Sequence, residues 1–404
     1  MKKKLMLLGG GANLVPVIEK AHEFGYHVMT VDYLPNNVAH PFADEYHNVS
    51  VLDLDALIEL AKSQQIDGIM TMIELTMVPV AYVAEKLGLN SHCSYESTII
   101  LHDKALFRKF LTDNGFKVPH AKGFSSYEEA QKDIDFFHWP VIIKPVDSCA
   151  SRGVIKVEKP SELKQAVDYA LSFGQYKAFI IEDFIETNEL TSGVECFAVN
   201  GRLKYAAFYD QYHDVHSLNP YVPVAECWPS IQKKEYQEEV SSELQRLFDL
   251  LHIDTGMFNV EWRVGTDGTV YLMEVAPRPG MGGTMAKLLE IATGVKIYDA
   301  EILNAVGDPV GDIHQPDYKG CYAISVLHSK EDGIFRGIDI DKAFRDKHVI
   351  QEDPVVREGD RVNKLKMGNE VYGTIFLHFD SQEEMHREMA DPSRWLKLKI
   401  DSAE

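Results

Sequence analysis

At 404 residues, with 45% hydrophobic and 10% aromatic side chains, the chain is long enough for two or three domains with cores of their own. Its 41 basic against 62 acidic side chains give a formal charge of −21, which repels nucleic acid and anionic membrane and argues against a polyanionic partner. Five scattered cysteines without a CxxC pair suggest neither a disulfide framework nor a zinc site, and the apolar run Leu5 to Leu8 after Met1-Lys-Lys-Lys4 is too short for export or a membrane span, so the cytoplasm is expected.

The first 95 residues alternate strand and helix. Leu5 to Leu8 reads as a buried strand, Gly9-Gly-Gly11 as a turn, Val15 to Phe24 as a helix and His27 to Val31 as a second strand. Ala56 to Lys62 and Val78 to Leu87 continue as helices around a strand at Gly68 to Met72. This rhythm predicts an α/β fold that opens with a doubly wound parallel sheet. A helix follows over Tyr95 to Asn114, closed by Gly115. Strands dominate from 140 to 200, interrupted by a helix at Ser161 to Leu171. Residues 230 to 251 form an acidic amphipathic helix, and Val260 to Val264 with Val270 to Val275 make a hairpin about Thr266-Asp-Gly268. After about Pro316 the chain is strand-rich again, most clearly at Gly320 to Leu327 and Val371 to Phe379.

Chemistry concentrates in a few places. The stretch VIIKPVDSCASRGV from Val141 to Val154 runs an apolar strand into Lys144 and then into a loop of small, hydroxylated and cationic residues. An ammonium at the end of a buried strand is costly unless an anion meets it, and small residues let backbone N–H groups approach phosphate oxygens, with Arg152 adding a fork of donors. Lys104, in His102-Asp-Lys-Ala-Leu-Phe107, is a second candidate cation. Phe179-Ile-Ile-Glu-Asp-Phe-Ile185 carries Glu182 and Asp183 among apolar neighbours, and Glu189 follows. The hairpin places Glu261 and Glu274 on adjacent antiparallel strands, where two like charges need a cation between them, and an all-oxygen donor set favours magnesium. Arg278, flanked by prolines, projects beyond that pair. Glu74, at the end of a parallel strand, is a candidate for an amine, and His213, His216 and His252 are candidates for substrate contact or base.

Together these pieces resemble the ATP-grasp superfamily over most of the chain, with biotin carboxylase-like and carbamoyl phosphate synthase-like members and, most similar, the L-amino acid ligases. The resemblance implies that Lys104 and Lys144 hold nucleotide phosphates under a mobile loop that includes Ser148, Ser151, Arg152 and Gly153. Glu182, Asp183, Phe184 and Ile185 would form the adenine hinge, Glu189 would meet the ribose, and Glu261 and Glu274 would hold Mg2+, with Mn2+ as a substitute. Ala276 stands where the family commonly carries a third, asparagine ligand; the EVAPRP form is similar to that of the purine-pathway carboxylases and formyltransferases. Residues 1–95 would be the pre-ATP-grasp domain, 96–315 a two-sheet ATP-grasp domain with a lid at about 118–185, and 316–404 a strand-rich capping domain that includes Gly359 to Val362 and Gly373 to Phe376.

The function implied is an ADP-forming carboxylate–amine ligase acting through an acyl phosphate, with Arg278 and Arg152 catalytic and Glu74, Gly10, Gly11, Gly282 and Gly283 on the substrate side. Its partners are small carboxylates and amines, and relatives pair into homodimers through the first domain. Three alternatives stand beside it. A purine-precursor carboxylase or formyltransferase would need a second basic cluster for a substrate phosphate. An NAD-binding oxidoreductase would use the GGGANL turn, which has Leu14 in place of the third glycine, and Asp32. A nucleotide-binding regulatory subunit would bind ATP without turnover.

Overall fold

Residues 2–368 and 370–402 are described by the computed structural model. Leu5 to Leu8 are apolar at every position because both faces of their strand are covered. β1 (Lys4–Leu8), β2 (His27–Val31), β3 (Glu45–His47) and β4 (Gly68–Met70) form a parallel sheet in the order β3-β2-β1-β4. Leu5, Leu7 and Val28 pack with helix α1 (Val15–Glu23), whereas Met6, Leu8, Met29 and Val31 face α2 (Leu54–Gln64) and α3 (Met77–Leu87). Helices on both faces make the sheet doubly wound, as its sequence rhythm predicts. β3 falls outside that prediction because Glu45-Tyr-His47 lacks an apolar pattern.

The single helix expected from Tyr95 to Asn114 is two helices, α4 (Tyr95–His102) and α5 (Lys104–Asp113). Asp103 breaks it. Its backbone is extended, and its carboxylate accepts hydrogen bonds from the Ala105 and Leu106 N–H groups at 2.8 and 2.9 Å, capping α5. Lys104 therefore opens α5, at a helix start as its sequence context suggests.

Next come β5 (Ala121–Phe124), α6 (Tyr127–Lys132), β6 (Val141–Pro145), β7 (Ile155–Val157), α7 (Leu163–Ser172) and β8 (Phe179–Asp183). Their four strands make an antiparallel sheet, β5-β8-β6-β7. Val141 and Ile143 alternate inward with Phe179 and Ile181 to pack against Leu163, Ala166, Val167 and Ala170 of α7. The opposite face, with Ile142, Lys144 and Glu182, is left for the cleft.

The remaining strands are β9 (Thr191–Val199), β10 (Arg202–His213), β11 (Pro223–Trp228), β12 (Gly256–Val264), β13 (Val270–Ala276), β14 (Cys321–His328), β15 (Gly333–Ile340), β16 (Val349–Pro354), β17 (Arg361–Val362), β18 (Val371–Phe379) and β19 (Leu396–Ser402). Eight of them form one antiparallel sheet, β13-β12-β9-β10-β11-β14-β18-β16, and β17-β15-β19 form a small second one. Pairing of β11 with β14 carries the large sheet through the segment around residue 316. Helix α8 (Lys234–Leu250) lays Val240, Leu244, Leu247 and Phe248 on Phe258, Val260 and Trp262 of β12. Helices α9 (Thr284–Thr293) and α10 (Ile297–Ala305) join this sheet to the first one through Met285, Leu288, Leu289 and Ile302. Among the described residues no helix is long and apolar enough to cross a membrane.

Candidate active site

A cleft of about 490 Å³ opens between the four-stranded sheet and the eight-stranded one, a size that accommodates a nucleotide-sized ligand. Strand alternation decides what lines it. On β12 Phe258, Val260 and Trp262 are buried beneath the sheet, so Asn259, Glu261 and Arg263 face the cleft. Tyr209, Gln211 and His213 do the same on β10.

Glu261 lies directly opposite Glu274, with a register shift immediately beyond. That irregularity turns both Met273 and Glu274 to the cleft, although they are consecutive. Glu261 is open to the solvent of the cleft; the protein around it and the facing Glu274 still push its carboxyl above the ordinary range. The Lys104 ammonium stands 3.3 Å from Glu274 and donates to the Ser148 carbonyl at 2.8 Å. Burial disfavours its charge, but Glu274 and Glu74 outweigh that and raise its pKa. Two facing carboxylates are an all-oxygen donor set that fits Mg2+.

Lys144 and Glu182 meet at 2.7 Å, and Arg108 approaches the other Glu182 oxygen at 2.8 Å. Glu182 is fully buried. Burial would raise its carboxyl, but Arg108 and Lys144 override it and hold the group at about 2. Arg108 also donates to the Leu272 and Met273 carbonyls, tying α5 to β13. The Glu182 carboxylate is committed to two cations, so what this residue offers a ligand in the cleft, which it lines, is its backbone. Asp183 lines the cleft too, while its carboxylate accepts from the His138 N–H at 2.9 Å and faces the rings of His120 and His138. Phe184 and Ile185 line the cleft.

Arg278 donates to Glu74 at 2.8 Å, and both line the cleft with Gly282. Arg278 pulls Glu74 down against the opposing effect of burial. Beneath them Glu195, fully buried on β9, accepts from the Gly280 N–H and from Asn259, fixing the loop that carries Arg278.

Ser148 and Ser151 line the cleft, whereas Arg152 and Gly153 do not. Arg152 folds back onto its own loop, donating to the Cys149 carbonyl at 3.2 Å, and Gly153 packs under Pro145 and Phe173 at φ +74°. Ala150 and Ser151 also adopt left-handed backbones, which glycine would adopt more easily. The loop is held over the cleft by Ser151 donating to the Tyr221 carbonyl, Asn219 to the Ser151 carbonyl and the Gly368 N–H to the Ala150 carbonyl.

Glu189 is exposed in the loop between β8 and β9, outside the cleft. Gly10, Gly11 and Gly283 do not line it either. A Cβ on Gly10 would collide with His40 and Asn37, Gly11 opens the turn into α1, and Gly283 is covered by Tyr298. The dinucleotide reading of this turn loses its room in the same way: its crevice is filled by residues 37–40, and Asp32 accepts from the Leu34 N–H and the Asn37 amide. Of the histidines, His213 lines the cleft and is kept neutral, at about 4, by burial and Arg263; His216 and His252 are exposed elsewhere.

Two cleft groups, and one buried arginine behind the cleft wall, escape the motif reading. Glu226 on β11 is buried with one oxygen unpartnered, and burial and Glu261 push it up to about 8. Its signal is a lone acid in the apolar strand Ala225-Glu-Cys-Trp228. Asn259 pairs directly across from Ala276, so a carboxamide stands on the strand facing the one where the family commonly carries it. Arg108 resembles any surface helix arginine in sequence.

Residues 112–299 match the family described as D-ala D-ala ligase C-terminus. A formate-dependent phosphoribosylglycinamide formyltransferase of Aliivibrio fischeri is 25% identical over 312 residues, 75% of this chain and 77% of that protein. The L-amino acid ligase of Bacillus licheniformis superposes with a TM-score of 0.83 at 19% identity, over 99% of both chains. The biotin carboxylase domain of the Hydrogenobacter thermophilus 2-oxoglutarate carboxylase, solved with MgADP and bicarbonate, superposes with a TM-score of 0.75 at 17% identity, over 99% of this chain and 91% of that one. The matched family thus covers the centre of the chain, and the fold shared with these solved ATP-dependent enzymes extends over its whole length.

Proposed function

We propose that the protein is an ATP-dependent carboxylate–amine ligase that forms an amide through an acyl phosphate and releases ADP. The observation that carries this reading is the meeting, on one cleft, of the opposed Glu261 and Glu274 with Lys104, Lys144 and Arg278. Glu261 and Glu274 would hold Mg2+, which when bound neutralises phosphate charge. Lys104 and Lys144, each held by a carboxylate, face the transferring phosphoryl group, and the loop over them excludes water. Phe184 and Ile185 offer an apolar wall to the base.

Arg278 orients the substrate carboxylate, whose oxygen attacks the γ-phosphorus; the bond to ADP breaks as the acyl phosphate forms. The amine then attacks the acyl carbon, the C–N bond forms, and phosphate leaves. Glu226 has a carboxyl poised near neutrality to take the amine's proton. Glu74, beside Arg278, suits an ammonium group on either substrate.

A second reading, formate activation for transfer to a phosphoribosyl substrate, is favoured by the names of the sequence relatives. The cleft speaks against it. Its basic lining residues are Lys104, Lys144, Arg263 and Arg278, among the described residues, and nucleotide phosphates and a substrate carboxylate would already occupy all of them but Arg263. The test is a screen of amino acids and small carboxylates, with formate plus glycinamide ribonucleotide as one arm. The expected outcome is ADP, phosphate and amide in equal amounts, with hydroxylamine trapping the activated acyl group as a hydroxamate. Stoichiometric AMP and pyrophosphate would overturn the mechanism, and turnover confined to the formate arm would select the second reading.

A further inference from the structure

On the outer rim of the four-stranded sheet, His120, His138 and Asp183 bring three ligand atoms together. His120 precedes β5, His138 precedes β6, and Asp183 ends β8, so three separate segments converge. The Nδ1 of His138 lies 2.8 Å from Asp183 Oδ2, the Nδ1 of His120 lies 3.2 Å from the same oxygen, and the two ring nitrogens are 3.0 Å apart. These edges are close to the roughly 3.3 Å between neighbouring ligands of a tetrahedral ion bound at about 2.0–2.1 Å.

Hydrogen bonding alone leaves the triangle incomplete. Two ring nitrogens supply at most two hydrogens for three edges, whereas a cation at the centre satisfies all three lone pairs at once. The carboxylate is also oriented for the task. Its Oδ1 is occupied by the His138 N–H at 2.9 Å, which leaves Oδ2 for the ion, and the Asp183 N–H donates to the His120 carbonyl at 2.8 Å. Both imidazoles are exposed, so water can complete a tetrahedral shell.

We propose that His120, His138 and Asp183 form a binding site for a divalent transition metal, with zinc as the first candidate. Two imidazoles and one carboxylate suit zinc and its transition-metal neighbours, while the all-oxygen pair at Glu261 and Glu274 suits magnesium, so the two sites select different ions. The transition metal clips the ends of β5, β6 and β8 together, immediately before Phe184 and Ile185 enter the cleft.

The experiment uses full-length chain without an affinity tag, stripped with chelator and dialysed against Zn2+ or Co2+. The wild type is expected to take up one equivalent, to melt at a higher temperature with zinc, and to show visible ligand-field absorption with cobalt. His120→Ala/His138→Ala should bind at least about 100-fold more weakly, since loss of even an outer-shell partner costs about 10–100-fold. His216→Ala, an exposed histidine elsewhere, should bind like the wild type. Both substituted histidines are exposed, so the metal-free double variant should melt as the wild type does, and Asp183→Asn provides an independent loss of one ligand. No uptake by the wild type, or equal uptake by the wild type and the double variant, would overturn the site.

Discussion

At Glu182 a carboxylate is enclosed between two cations, whereas at Glu261 on the facing sheet a carboxylate meets a second one. The first cluster is internally neutralised: Arg108 and Lys144 leave Glu182 no need of a ligand, and Glu182 in turn fixes the Lys144 ammonium toward the cleft. The second is incomplete as a protein structure, because the protein around Glu261 and the facing Glu274 both disfavour its charge. One wall of the cleft is therefore preorganised and the other is completed by what binds. Ligand-dependent effects should map to the second wall and ligand-independent ones to the first.

Substitutions should break that contrast in opposite ways. Glu182→Gln leaves two buried cations without a counter-ion, so a loss of about 3–5 kcal/mol is expected in urea unfolding, with or without nucleotide. A small loss would mean that Arg108 and Lys144 find other partners. Glu274→Gln should leave the metal-free fold stable while lowering turnover by on the order of 10²–10³-fold. It should also abolish the rise in melting temperature that Mg2+ gives the wild type in the presence of an ATP analogue. Retained turnover would remove the metal role. Arg278→Ala, which frees Glu74, should raise the KM for the carboxylate by about tenfold or more, the equivalent of about 1.4 kcal/mol, while ATP binding changes little. Equal losses for both substrates would move Arg278 out of the carboxylate's reach.

How much of this was legible in the sequence depends on the range of the interaction. The Thr266-Asp-Gly268 turn puts Glu261 and Glu274 on adjacent strands, but strict alternation from Val264 and Val270 would set Met273 opposite Glu261, and the register shift that brings Glu274 there left no mark in the sequence; Lys144 shows itself by interrupting an apolar strand. Local capping was harder to weigh. The apolar spacing from Tyr95 to Asn114 runs through Asp103, and only its bonds to Ala105 and Leu106 reveal that the chain breaks there and presents Lys104. Long-range pairings were invisible. Nothing in Arg108 announces Glu182 as its partner, and nothing in the strand around Glu226 announces that β11 pairs with β14 from beyond residue 316. Arg152 and Glu189 show a related limit: a loop's sequence offers a donor or an acid without saying which way it turns.

The covering loop sharpens the contrast in time instead of energy. Residues 147 and 148 are anchored by Gln175, Tyr176 and Lys104, whereas the tip at 150–151 rests on Tyr221, Asn219 and Gly368 through three hydrogen bonds and carries two left-handed non-glycine residues, so opening of the tip should be local and inexpensive. Hydrogen exchange of this segment should slow about tenfold or more with an ATP analogue and Mg2+, with little change in β6 beneath it. Uniform protection of loop and strand would mean that the whole four-stranded sheet moves as a unit.

The smallest expected effect is the most discriminating. Glu261→Gln removes one of two facing charges, so the metal-free variant should be more stable than the wild type at neutral pH, by less than about 1 kcal/mol because the solvent of the cleft screens the pair. The pH dependence fixes the sign. The Glu261 carboxyl titrates higher in the folded chain than in the unfolded one, so between those two values the folded state holds more protons and wild-type stability falls as pH rises. Glutamine has no such titration. The variant's advantage should therefore be absent in acid, below the ordinary carboxylate range, and grow toward neutrality. Mg2+ with an ATP analogue should reverse the order, because the wild type gains a bound cation that the variant holds weakly. A variant less stable than the wild type at neutral pH without metal would show that Glu261 is satisfied by its protein neighbours, and the distinction between a completed wall and an unfinished one would fail at the residue on which it rests.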